Sequence, residues 1–156
     1  MVKPEIVYRR EFSFPVTPAE LWEAIGETER FEAWWPWLRE FRLEGGGLVA
    51  GAVLHGLVVP PLPYRMRVDV ALVRCRRPDE IDAEVHGDLE GTATLRLRVA
   101  GDGGTRAEVA WRVEMMQRPM RMAARVAHPV LRWGHDRVVE ATVRSFRRHL
   151  AESGYR

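Results

Sequence analysis

Apolar and polar residues alternate with a period of two over most of the first 116 positions and with a helical period over the remainder. The stretch "IVYRREFSF" (6–14) predicts a strand. In "PVTPAELWEAIGE", Thr17 is a natural N-cap, Pro18 takes the first helical position and Glu20 completes a T-x-x-E capping box. Leu21, Trp22 and Ile25 form the apolar stripe of that helix, and Gly26 ends it. A second short helix is expected from about Thr28 to Trp34, because Pro36 restricts Trp35 to extended backbone. Six strand-like segments follow between glycine and proline signals: 37–44, 52–59, 64–77, 80–88, 91–99 and 106–116. Their apolar sets include Tyr64, Met66, Val68, Val70 and Leu72, then Ala93, Leu95, Leu97 and Val99, then Val109, Trp111, Val113 and Met115. Strands joined by short loops, apolar on one face and charged on the other, describe an antiparallel meander with one wet side.

From about Arg118 to Ser153 the period becomes helical. Ala124, His128, Leu131, His135, Val138, Thr142, Phe146 and His149 fall within a stripe of about 80°. Glu140, Arg144, Arg147 and Arg148 charge the opposite face of its second half, whereas Met122, Val126 and Trp133 occupy that face in the first half. Pro129 is expected to kink or break the helix. An α+β fold results, in which a curved antiparallel sheet of about seven strands has its apolar face covered by the one element long enough, the C-terminal helix.

Composition narrows the picture. A chain of 156 residues with 46% apolar and 29% charged residues fits one globular domain, 1–156. No apolar run approaches the roughly 20 residues of a membrane span, and the first residues lack a signal-peptide core, so cytoplasmic residence is the expectation. The lone Cys75 excludes an internal disulfide. Lys3 is the only lysine and asparagine is absent, which suggests a GC-rich bacterial genome. Lys plus Arg number 24 against 22 Asp plus Glu, and the arginines are interleaved with acids, a solvated surface rather than a nucleic-acid footprint.

Two segments carry a family resemblance. "FSFPVTPAELWEAIGETERFEAWWPWL" (12–38) resembles the first strand and helix pair of the START/Bet v 1-like (SRPBCC, helix-grip) superfamily, and "RWGHDRVVEATVRSFRRHL" (132–150) resembles its closing helix. The nearest group is the bacterial polyketide cyclase/dehydrase-like proteins. The resemblance implies a cavity between sheet and long helix that takes lipids, polyketides or other apolar molecules. That superfamily has no universal catalytic motif, and no cofactor is expected.

Within that frame His135, on the inward stripe, is the leading candidate for acid/base chemistry, although a lone inward histidine is more often a structural residue hydrogen-bonded to a backbone group or a neighbouring side chain. His55 alternates with Val53, Leu57 and Val59 and is expected to enter the cavity; His86 falls with Asp82, Glu84 and Asp88 on the polar face. His128, His135 and His149 are about 10 Å or more apart along the helix, too far to share an ion, so no metal is expected. Cys75 sits on the arginine-flanked side of its strand, and no serine lies in a nucleophile-elbow motif. "GDGGT" (101–105) reads as a hairpin turn, not a phosphate loop.

Ligand-lining candidates are Trp35, Trp37, His55, Tyr64, Met66, Trp111, Met115, Leu131, His135 and Val138. Trp34, Trp35 and Trp37 hold half of the six tryptophans. Trp34 is expected to plug the core between the short helices and the sheet, with Trp35 or Trp37 at the cavity border. Met115, Met116, Met120 and Met122 suit a soft entrance. Three functions fit. The first is binding of a hydrophobic small molecule, by a monomer or a homodimer. The second is a cyclase or dehydratase using His135 and His55. The third is an interaction module docking through Met122, Val126 and Trp133. A cavity with one histidine and no second converging polar group favours the first.

Overall fold

The structure, a computed structural model, describes residues 5–60 and 65–152, with the side chains of 118–128, 130 and 131 left out. Strand β1 (Glu5–Phe14) leads into α1 (Pro18–Ile25), whose start is closed by the capping box: the Glu20 amide donates to Thr17 Oγ1 at 3.2 Å. A 3₁₀ turn (Thr28–Arg30) and the four-residue α2 (Phe31–Trp34) follow. Trp35 then turns extended (φ −123°, ψ 100°), as the proline after it requires.

The remaining strands are β2 (Leu38–Glu44), β3 (Val53–Val58), β4 (Met66–Arg76), β5 (Glu80–Gly87), β6 (Leu89–Val99) and β7 (Thr105–Met115). They form one antiparallel sheet in the order β1-β7-β6-β5-β4-β3-β2. Consecutive strands from β2 to β7 are neighbours, and β1 closes the far edge beside β7. The sheet is curved, and α3 (Arg118–Glu152) is the long C-terminal helix of a helix-grip fold. Pro129 lies inside α3 without breaking it. Its side chain is exposed.

Packing is uneven along the sheet. At one end Phe14, Leu21, Trp22, Leu97, Ala107, Phe146 and Leu150 form the main core. There the buried Thr105 hydroxyl donates to the Val16 carbonyl at 2.7 Å, joining the start of β7 to the link before α1. At the other end Met66 and Met115 form a separate small cluster with Ile6, Val58, Val68 and Leu89.

Two parity assignments change. In β3 the inward set is Leu54, Gly56 and Val58, not Val53, His55 and Leu57. Leu54 opposes Val70 and Val58 opposes Met66, both of which line the interior. Both sets of β3 are apolar enough to pass, so the register with β4 decides. A Cβ at position 56 would lie 2.8 Å from a terminal methyl of the buried Leu38, which would have to shift to make room for it. In β4 the register shifts between Leu72 and Arg74, which leaves Val73 exposed and turns Cys75 onto the core.

Candidate functional site

Between the two packed ends, sheet and α3 enclose a cavity of about 440 Å³. That lies within the size range of small-molecule sites. Its walls are the inward positions of the strands, among them Phe12, Val70, Val85, Leu95 and Val109, together with Val138, Val139 and Val143 of α3. Among the described lining residues, His135 and Thr142 are the only ones with side chains that are neither hydrocarbon, thioether nor indole.

Trp34, Trp35 and Trp37 fasten the end of α2 and its link to β2 onto α3. Trp35 and Trp37 stack with ring centroids 5.6 Å apart and planes 13° from parallel, and both line the cavity. Trp37 Nε1 donates to Thr142 Oγ1 at 2.8 Å, and Trp35 Nε1 donates to the Thr142 carbonyl at 3.2 Å. The Thr142 hydroxyl in turn donates to the Val138 carbonyl at 2.7 Å. Trp34 packs on the core, and its ring meets Phe146 and His149 of α3 at 5.6 and 4.2 Å between centroids. Its carbonyl accepts from the Ser145 hydroxyl at 2.6 Å.

On the β7 side of the cavity, Trp111 Nε1 donates to His135 Nε2 at 3.0 Å. An indole N–H only donates, so Nε2 must be the accepting nitrogen. The imidazole proton therefore sits on Nδ1, 3.1 Å from Asp136 Oδ1, which accepts it. Tyr8 of β1 stacks on Trp111 at 4.6 Å and meets His135 edge-on at 5.0 Å. The Tyr8 hydroxyl is buried without a hydrogen-bond partner. His135, only 18% exposed, thus presents neither a free lone pair nor a free proton to the cavity.

His55 does not enter the cavity. On the outer face of the sheet its Nδ1 lies 2.6 Å from Asp69 Oδ1 and its Nε2 2.9 Å from Glu44 Oε2. The hydrogen bonds to Glu44 and then to Asp69 raise its pKa above the ordinary value, against the opposing effects of burial and of Arg42. His86 likewise sits outside, between Glu90 at 3.0 Å and Glu84 at 3.3 Å, which hold its pKa up in that order. Cys75 does not lie on the charged face: it packs against the core, and burial followed by the charge of Asp82 pushes its thiol pKa up, away from nucleophilic thiolate.

Of the remaining expected lining residues, Met66, Trp111, Met115 and Val138 lie on the cavity wall. Tyr64 lies outside the described residues, as do the side chains of Leu131, Met120, Met122 and Val126. Trp133 is 54% exposed with the Arg137 guanidinium 5.5 Å from its ring centre. Thr142 is the contributor that sequence reasoning passed over. Its place on the α3 stripe was visible, but its partners Trp35 and Trp37 lie more than 100 positions away.

Residues 5–151 match the family of polyketide cyclase / dehydrase and lipid transport proteins. The chain belongs to this family. Its fold is that of the wider START/Bet v 1-like superfamily. The protein TTHA0849 of Thermus thermophilus is similar at TM-score 0.72 and 13% identity, over 97% of this chain and 99% of that one. Norcoclaurine synthase of Thalictrum flavum, solved with dopamine and hydroxybenzaldehyde, is similar at TM-score 0.64 and 14% identity, over 96% and 88%. Ara h 8.0201 is similar at TM-score 0.60 and 17% identity, over 89% and 95%. These likenesses are of fold. No curated protein matches the chain by sequence. Among the described residues, no helix of this family member is long and apolar enough to cross a membrane.

Proposed function

We propose that this protein binds a hydrophobic small molecule, of the lipid or polyketide kind, in the cavity between sheet and α3. The observation that carries the reading is the cavity wall, apolar throughout its described part except for His135 and Thr142, whose polar atoms are already paired within the protein. Burial of apolar ligand surface is then the driving force, at about 25 cal/mol per Å². Trp35, Trp37, Met66, Trp111, Met115, His135 and Val138 are the contacts assigned to the ligand. A cyclase or dehydratase would need a base with an accessible lone pair, and His135 Nε2 is committed to Trp111.

The test is titration with N-phenyl-1-naphthylamine, a neutral apolar fluorophore, followed by emission and by thermal unfolding. Saturable binding at one site is expected, with stabilisation of about 2.7 kcal/mol at a hundredfold excess over Kd. Native mass spectrometry of protein purified from its own host should show a co-purifying apolar molecule. Absence of saturable binding together with an unchanged unfolding temperature overturns the proposal.

A further inference from the structure

Resting on that binding role, we infer that the cavity selects uncharged ligands and rejects those that carry a carboxylate or sulfonate inside it. Within the lipid and polyketide classes this means esters, alcohols and neutral polycyclic molecules rather than free acids. A buried anion needs a cation or several unengaged N–H donors to replace its water shell. Among the described lining residues there is no arginine or lysine. Instead, Arg67, Arg96 and Arg112 pair with Glu40, Asp82 and Glu5 at 2.9, 2.6 and 2.8 Å. The alternation of β4, β6 and β7 puts these three arginines on the opposite face from Val68, Leu95 and Trp111, which line the cavity.

Three lining indoles could in principle donate to an anion, and each is already engaged. Trp35 serves the Thr142 carbonyl, Trp37 the Thr142 hydroxyl and Trp111 the His135 ring. Redirecting Trp111 leaves the half-buried His135 Nε2 without its donor, and redirecting Trp35 or Trp37 gives up a bond that ties the α2–β2 link to α3. His135 cannot supply a positive charge without losing its bond from Trp111, because protonated Nε2 accepts nothing. Its partner Asp136 adds a negative charge beside the same wall. The unpaired Tyr8 hydroxyl is a neutral donor and is not among the lining residues.

The experiment compares two probes that share one aromatic frame. N-phenyl-1-naphthylamine is uncharged, and 8-anilinonaphthalene-1-sulfonate differs from it by a sulfonate. The affinity of the sulfonate is read from its displacement of the bound neutral probe, which confines the measurement to the cavity. The anion is expected to bind at least about tenfold more weakly. Equal or tighter binding of the anion overturns the selectivity while leaving the binding role intact. Failure of the neutral probe itself to bind overturns the binding role instead.

Discussion

At the scale of single residues, His135 shows how an inward histidine on an apolar wall can be a structural part rather than a reagent. Its Nε2 satisfies the Trp111 indole, and its Nδ1–H is held by Asp136. The Trp111 bond joins β7 to α3 at the cavity wall. Substitution His135→Phe keeps the ring but removes the acceptor, leaving a half-buried N–H unpaired. A destabilisation of about 1–3 kcal/mol is expected, measured by urea unfolding. His135→Gln can present an amide oxygen to Trp111 and should recover most of that loss. Equal losses in the two variants would mean that the bond contributes nothing and that His135 acts by shape alone.

At the scale of elements, the outer face of the sheet carries a row of charged cross-strand neighbours. Arg42, His55, Asp69 and His86 are successive register partners across β2, β3, β4 and β5, with Glu44 reaching His55 from β2. The two carboxylates raise the His55 pKa in the folded state. Such a group stabilises the fold fully below its unfolded pKa of about 6.5, and the stabilisation fades as pH rises through the higher folded value. The stability difference between wild type and His55→Gln should therefore be largest below about pH 6.5 and shrink as the pH rises above it. Urea unfolding across that range checks it; a difference independent of pH would remove His55 as the cause. A Cβ at Gly91 of β6 would overlap the Arg112 carbonyl of β7, so Gly91→Ala should cost about 1–3 kcal/mol by the same measurement. Gly101→Ala, with open space around it, should stay within about 0.5 kcal/mol of wild type. The sequence made β4, β6 and β7 readable because their two faces differ sharply in polarity. Met66, Val68 and Val70, then Ala93 and Leu95, then Val109, Trp111, Val113 and Met115 all face the interior. In β3 the polarity contrast is missing, and only its register with β4 shows that His55 points out. The same limit hid the shift at Val73, which moves Cys75 inward, and the pairing of Trp35 and Trp37 with Thr142, since period-two and period-3.6 patterns say nothing about distant partners.

At the scale of the whole molecule, the fold is packed tightly at one end, clustered around Met66 and Met115 at the other, and open between them. An apolar space of about 440 Å³ is a standing cost to the unliganded protein, because the atoms lining it lack partners across the gap. In the binding role proposed for it, stability and function therefore pull in opposite directions at any wall position with room to grow. Ala93 is such a position: it lies on β6 between its register partners Ala83 and Trp111, and it lines the cavity. Ala93→Leu places new methyl groups in the void instead of against a filled core. Unliganded stability should rise by about 1–2 kcal/mol, the reverse of a large-to-small core change. The same variant should bind N-phenyl-1-naphthylamine about fivefold more weakly, equivalent to about 1 kcal/mol. Calorimetry and probe titration on one preparation read both signs together. A variant that loses stability would show that the wall is already packed at that position. One that gains stability and still binds the probe with unchanged affinity would place the probe, and the ligand with it, somewhere other than beside Trp111.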